Sequence, residues 1–198
     1  MRDSFNYRDY TGDVEIVPVG KFHFDGKVSI TDPCYNDVEE DIMGKVPVVA
    51  GDYECEVLKY NSGSDKGIIA AIAISLVDSD FDFSQMLPIG DIGVDAGIAG
   101  FFSHKPNYNA EEWSDFCDSI SEGSYWIKEN GFFSYSGYGD GGYVVYGHPV
   151  ERDEKLYDGL TIIFIEPFEN DYDMDDEDDF VYYEENYDED YTKGLGRY

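Results

Sequence analysis

Apolar residues in this chain recur mostly at every second position, and in one stretch at every third or fourth. Residues 52–60 carry the first pattern: Tyr53, Cys55 and Val57 alternate with Glu54, Glu56 and Leu58, the period of a half-buried strand. Short β-prone runs at 21–24 and 27–31 flank Asp25-Gly26, and an Asp-Gly pair between two such runs predicts a hairpin. Runs at 125–128 and 132–136 flank Asn130-Gly131 in the same way. Further strands are predicted at 45–50, 143–146 and 159–165, with a buried one at 67–77, which is rich in Ile and Ala. Residues 14–19 contain Pro18, which cannot donate to a ladder, so they predict a short edge strand at best.

The helical period appears at Trp113, Phe116, Cys117 and Ile120, which stand at i, i+3, i+4 and i+7 and so share one face. The spacing predicts a helix over 110–121. Asn109 is its N-cap, Glu111 and Glu112 suit the positive end of its dipole, and Gly123 is its stop. Its apolar face is expected against strand 67–77 or 159–165. Residues 78–91 read as loop. In 92–102, Gly93, Gly97 and Gly100 fall within eight residues, which implies close backbone packing or positive φ rather than an ordinary strand.

About eight strands and one main helix result. They predict an α+β fold: a single domain with a twisted, mostly antiparallel sheet, one main packed helix and an acidic C-terminal appendage. The expected divisions are an N-terminal arm at 1–13, the α+β domain at 14–168 and an acidic, Tyr-rich tail at 169–198. A hydrophobic fraction of 42% and an aromatic fraction of 17% suffice for a core, since disordered chains are poor in aromatics.

Charge changes this picture most. Glu169, Asp171, Asp173, Asp175, Asp176, Glu177, Asp178, Asp179, Glu184, Glu185, Asp188, Glu189 and Asp190 fall within 22 residues that hold no Lys or Arg. The whole chain has a formal net charge of -31, and the first 168 residues alone hold 31 acids against 11 bases. Such a charge repels nucleic acid and anionic membranes and attracts basic protein surfaces. Tyr172, Phe180, Tyr182, Tyr183, Tyr187 and Tyr191 are interleaved with the tail acids. Aromatics are depleted in segments that only solvate, so the tail is expected to dock.

Catalytic signatures are weak. Gly137, Gly139 and Gly142 spell GxGxxG, but a strand is predicted after them where a dinucleotide site needs a helix. Asp171, Asp173 and Asp175 match the start of a calcium loop, yet Asp176 and Tyr182 stand where Gly and Glu are required. His23, His104 and His148 form no zinc motif. Cys34, Cys55 and Cys117 are three and widely spaced, which is no disulfide framework. The opening residues lack the apolar stretch of a secretory signal, so a cytoplasmic location is expected, and no cofactor or metal is expected.

Three segments together resemble a family. They are Ser29-Ile30-Thr31-Asp32-Pro33-Cys34-Tyr35, Ile92-Gly93-Val94-Asp95-Ala96-Gly97 and Ser136-Gly137-Tyr138-Gly139-Asp140-Gly141-Gly142-Tyr143. In order and spacing they are similar to a domain-of-unknown-function family of bacteria and their phages, over about residues 27–165. The resemblance implies a small α+β protein and carries no catalytic residues. Ile98 stands where a polar residue, often Gln, is usual, and the acidic tail lies outside the shared region.

The expected function is therefore that of a cytoplasmic acidic binding protein, phage-encoded if the resemblance holds. It would block a basic, nucleic-acid-binding host or defence protein by imitating DNA, with the tail acids as the binding residues. It would touch neither nucleic acid nor membrane directly. An alternative is a metal-assisted hydrolase using Asp32, Asp95 and Asp140, with Cys34 as a further candidate. Another is a structural or virion component. Against the hydrolase stands the habit of aspartates beside Gly and Pro to cap turns.

Overall fold

The computed structural model describes residues 10, 14–34, 43–79, 82–120, 122–151 and 155–166. The chain divides into two units, Met1–Phe168 and Glu169–Tyr198. The second lies wholly outside the described residues.

The described part of the first unit is built from antiparallel sheet and a single α-helix. Its strands are β1 (Val14–Phe24), β2 (Lys27–Thr31), β3 (Met43–Pro47), β4 (Gly51–Tyr60), β5 (Ile69–Leu76), β6 (Leu87–Val94), β7 (Ile98–Phe102), β8 (Tyr125–Lys128), β9 (Gly131–Tyr135), β10 (Gly141–Pro149) and β11 (Tyr157–Ile163). The helix, α1, spans Ala110–Ser119. Six strands pair in the order β1-β4-β5-β11-β10-β6, and the other five in the order β3-β2-β7-β9-β8. The single sheet expected from the sequence is thus two sheets.

The two sheets share one core. The six-stranded sheet contributes Phe24, Tyr53, Val57, Ile72, Val145, Leu160 and Ile162, and the five-stranded sheet Val28, Ile30, Phe101 and Phe132. The five-stranded sheet is apolar on its other side as well. Because side chains alternate across a strand, Phe101 and Phe132 enter the shared core while their neighbours Phe102 and Phe133 point the opposite way. There they meet Phe116 and Ile120 of the helix, with Trp113 and Trp126 packed beside them. Every residue of β7 is buried as a result.

Several expectations are corrected here. Asp25-Gly26 makes a turn, but β1 and β2 do not pair with each other; β1 pairs with β4, and β2 with β3 and β7. The dipeptide specifies a reversal of the chain and does not choose the partner strand. This turn carries the chain from one sheet to the other. β1 is an edge strand, as Pro18 requires, yet it runs eleven residues because the ladder shifts register between Pro18 and Gly20. Edge strand β6, Leu87–Val94, begins inside the stretch 78–91 read as loop and runs into the glycine-rich one after it. Residues 98–102 are an ordinary strand despite their glycines. Gly97 supplies the turn before it at φ +65°, and Gly100 lets β9 approach so closely that a Cβ there would fall 2.4 Å from the Phe132 carbonyl oxygen. The helix packs on β7 and β9, not on β5 or β11.

The hairpin of β8 and β9 forms as expected, but its turn is Glu129-Asn130, one residue earlier than Asn130-Gly131, because Gly131 already pairs with Lys128 as the first residue of β9. The helix begins as predicted: the Asn109 side chain accepts from the Glu111 and Glu112 N–H groups, and Glu112 accepts from the Asn109 N–H in return.

Phe116 is the hub of the smaller core, with ring neighbours Tyr108 at 5.1 Å, Phe133 at 5.3 Å and Trp113 at 5.4 Å. Phe116→Ala should lower the unfolding free energy by about 3–5 kcal/mol, the usual cost of a large core truncation. Urea denaturation followed by far-UV circular dichroism measures it, and a loss below about 1 kcal/mol would show that α1 contributes little to the core.

Candidate functional site

The three motif segments meet at one end of the two sheets, and the contact is made by a buried side chain. Asp32 follows β2 and is wholly buried. Pro33 after it holds Asp32 away from helical backbone, and its Oδ1 accepts the Cys34 N–H at 2.8 Å, closing a turn through its own side chain. Its Oδ2 accepts two more N–H groups, from Asp95 at 2.8 Å and Ala96 at 2.6 Å. Both belong to the turn between β6 and β7. The first motif is therefore bonded directly to the second.

The second is bonded to the third. The Ser136 N–H donates to the Gly97 carbonyl at 3.0 Å. Within the third segment, the Ser136 hydroxyl donates to the Gly139 carbonyl at 2.8 Å, and the Gly139 N–H returns to the Ser136 carbonyl at 2.9 Å. The Tyr143 hydroxyl spans both carbonyls at 3.0 and 2.5 Å, and its ring stands edge-on to Phe164 at 5.1 Å. GxGxxG here is the turn between β9 and β10, with a strand on each side, so no helix N-terminus faces it.

This geometry bears on the candidate chemistry residue by residue. Both oxygens of Asp32 accept backbone N–H groups, which ties the carboxylate to the two turns. Asp95 and Asp140 are exposed at the rim. Among the described residues, no group of three or more His, Cys, Asp or Glu side chains could hold a metal ion. Cys34 is half-buried, and its thiol is pushed up to about 12, first by burial and then by its hydrogen bond to the Asp32 carboxylate. A thiol so placed gives up its proton less readily than a free cysteine does. Among the described residues the junction organises turns. What it displays is Tyr138, 68% exposed, whose hydroxyl bonds to Asp65.

The thirteen tail acids named above, Glu169 to Asp190, lie outside the described residues, as do the tail aromatics and the partial calcium loop. Sequence reasoning missed a buried pair across β10 and β11: His148 Nδ1 stands 2.6 Å from Asp158 Oδ1. The two are ten residues apart, and a register shift after His148 brings them together, a feature with no local sequence signature. Among the described residues no helix is long and apolar enough to cross a membrane.

Compared with known proteins, the chain matches no family model, no curated protein and no solved structure. The family resemblance therefore rests on the three motifs alone.

Two outcomes test the structural reading of the junction. Asp32→Asn keeps one accepting oxygen but turns an amide toward N–H donors, so it should destabilise the fold by about 2–4 kcal/mol; an unchanged urea midpoint would remove Asp32 from this role. In a Cys55→Ala, Cys117→Ala background, Cys34 should react with iodoacetamide at pH 7.5 roughly a thousandfold more slowly than a free cysteine, because its thiolate fraction is that much smaller. Labelling at the free-thiol rate would restore Cys34 as a candidate nucleophile.

Proposed function

We propose that this chain is an acidic binding protein that covers a basic, nucleic-acid-binding protein surface with carboxylates in place of phosphates. The observation that carries the reading is the charge of the folded unit itself: 31 acids against 11 bases before the tail begins.

The clearest described display is on α1. Glu111, Glu112, Asp115 and Asp118 are all exposed, the first and the last two on the side opposite the apolar face and Glu112 at its flank, and the last turn holds no base. At 1.5 Å per residue the four carboxylates span about 10 Å of helix axis in three intervals, one charge per roughly 3.5 Å. Duplex DNA carries one per about 1.7 Å and each of its strands one per about 3.4 Å. The helix thus comes close to the axial charge spacing of a single strand of the polymer to be imitated. The arrangement also works against helix stability. Glu111 and Asp115 are like charges four apart, and Asp118 sits at the negative end of the dipole. A surface that needed only solubility would gain by interspersing Lys.

In this reading the acids of residues 169–190 extend the same field, the partner is a cationic host or defence enzyme in the cytoplasm, and the chain acts as an inhibitor. The motif resemblance supports a bacterial or phage source. The protein itself contacts neither nucleic acid nor membrane.

The test immobilises the full chain, passes bacterial lysate over it at low and high salt, and identifies what is retained. Nucleic-acid-binding proteins should be held at low salt and displaced by duplex DNA. Their affinity should fall at least about tenfold between 50 and 200 mM salt, since the attraction comes from screened surface charge. Removing residues 169–198 should slow association more than it speeds release, because long-range charge acts on encounter. Retention that neither salt nor DNA affects would overturn the reading.

A further inference from the structure

The end of the molecule where the three motif segments meet holds one side chain out of the fold. Tyr138 is 68% exposed, whereas no other large apolar side chain among the described residues exceeds 46%. Single exposed apolar residues are ordinary, but the backbone keeps this one out. Gly137 and Gly139 flank it at φ +58° and +111°, conformations that favour glycine. A Cβ on Gly137 would stand 3.0 Å from the Phe164 Cβ and 3.2 Å from the Ile165 Cγ1. The turn is thus pressed onto the core beside Tyr138 and presents the ring to solvent.

The tip is braced and its surroundings are acidic. The Ser136 and Tyr143 hydroxyls both donate to the Gly139 carbonyl, and the Gly139 N–H donates to the Ser136 carbonyl. Two other turns adjoin it. A Cβ on Gly97 would lie 3.7 Å from the Gly139 Cα, and one on Gly137 would lie 3.5 Å from the Ile69 carbonyl oxygen, just past the turn between β4 and β5. The Tyr138 hydroxyl is bonded to the Asp65 carboxylate of that turn, so what the residue offers a partner is its ring. The three turns, 61–68, 95–97 and 136–140, hold Asp65, Asp95 and Asp140 against one base, Lys66. Asp95 and Asp140 are exposed and Asp65 is half-buried.

We infer that Tyr138 is the aromatic anchor of the partner-binding surface, and that the basic partner meets it with an arginine whose guanidinium lies on the Tyr138 ring in the field of the neighbouring carboxylates. A guanidinium is planar and weakly hydrated; it stacks on aromatic rings and pairs with carboxylates, and an ammonium does the first less well. Tyrosine gives up little conformational entropy on binding and is enriched among the residues that carry interface energy. A second copy of so acidic a chain would be repelled here, so the occupant is a cationic partner. The inference rests on the proposed masking of a basic surface and names the residue that grips it and the residue type it grips.

Dye-labelled octa-arginine and octa-lysine are suitable probes, titrated with the full chain at about 150 mM salt, where long-range attraction is partly screened, and read by fluorescence anisotropy. Both should bind saturably, octa-arginine more tightly. Tyr138→Ala should weaken octa-arginine about two- to fivefold, the span of an exposed cation–ring contact, and leave octa-lysine nearly unchanged, with the urea midpoint unmoved. Tyr138→Phe keeps the ring and loses the bond to Asp65, and it should bind octa-arginine like the parent chain. Ile16→Ala, on exposed β1, should change neither peptide. If neither peptide saturates, the masking reading and this inference fail together. If both bind but Tyr138→Ala leaves the preference for arginine intact, or weakens both peptides equally, the inference fails and the masking reading stands. A loss in Tyr138→Phe or Ile16→Ala as large as that in Tyr138→Ala would likewise overturn it, since the ring of Tyr138 would then not be what the peptide meets.

Discussion

A carboxyl group sealed from water must recover inside the protein the hydrogen bonds it gives up. Asp32 does so with three backbone N–H groups from two different turns, and the arrangement of the strands depends on that demand. The turn at 95–97 is where the chain leaves the six-stranded sheet for the five-stranded one, and the turn at 136–140 is where it returns. Asp32 bonds to the first crossing, and the Gly97 carbonyl bonds the first crossing to the second. Turns that change sheets leave ladder partners behind and would strand N–H and C=O groups at a buried corner. Here one side chain and two neighbouring turns satisfy them. This accounts for Asp-Pro in the first segment, and for glycine and serine in the other two, without any catalytic demand.

With the corner fixed, stability comes from apolar surface on both sides of the five-stranded sheet, and the exterior is released from contributing to it. That separation is what allows so lopsided a charge. Two lysines and a histidine are placed where they relieve a specific cost. Lys21 stands 3.5 Å from Glu54 across β1 and β4. Lys128 closes the helix C-terminus. His23 lies between Asp52 and Asp25, and its hydrogen bond to Asp52, followed by the nearby carboxylate charges, raises its pKa. Its favourable contacts are therefore present at low pH and are lost as pH rises through that raised value. These are exposed pairs and contribute little to the total. They relieve local repulsion and leave the overall field in place.

Local signals in the sequence were legible where the physics is local. The alternation at 53–57, the helix face at Trp113, Phe116 and Ile120, the Asn109 cap and the β8–β9 hairpin each depend on residues within a few positions, and each appears, the hairpin with its turn one residue earlier than Asn130-Gly131. The partnerships did not follow. Asp25-Gly26 announces a turn equally well whether the next strand pairs back or joins another sheet. Residues 87–94 hold Pro88, Gly90 and Gly93, which weaken a strand signal, and only pairing with β10 makes them a strand. The apolar face of α1 was readable, but not its seat on β7 and β9, because doubled aromatics such as Phe101-Phe102 and Phe132-Phe133 read simply as hydrophobic. A strand buried on both faces loses the alternation that would tell which side faces what. The three motif segments were recognisable as a set, and their meeting in space was an open alternative. That one aspartate would bond to the backbone of the next segment was not readable, since backbone N–H groups leave no mark on a sequence.

The helix shows how little of this charge serves its own element. Its inner face completes the smaller core, and its exposed side carries Glu111, Asp115 and Asp118, with Glu112 at the flank. Its ends are satisfied separately: Asn109 and Glu112 meet the first turn, and Lys128 reaches the Ser119 carbonyl in the last. A helix of ten residues is marginal alone, so α1 persists through its contacts with Phe102 and Phe133. Glu111 and Glu112 suit the positive end of the dipole, whereas Asp118 stands at the negative end and Asp115 repels Glu111 one turn away. The packing of the inner face therefore carries a charge pattern that favours the helix only in its first turn.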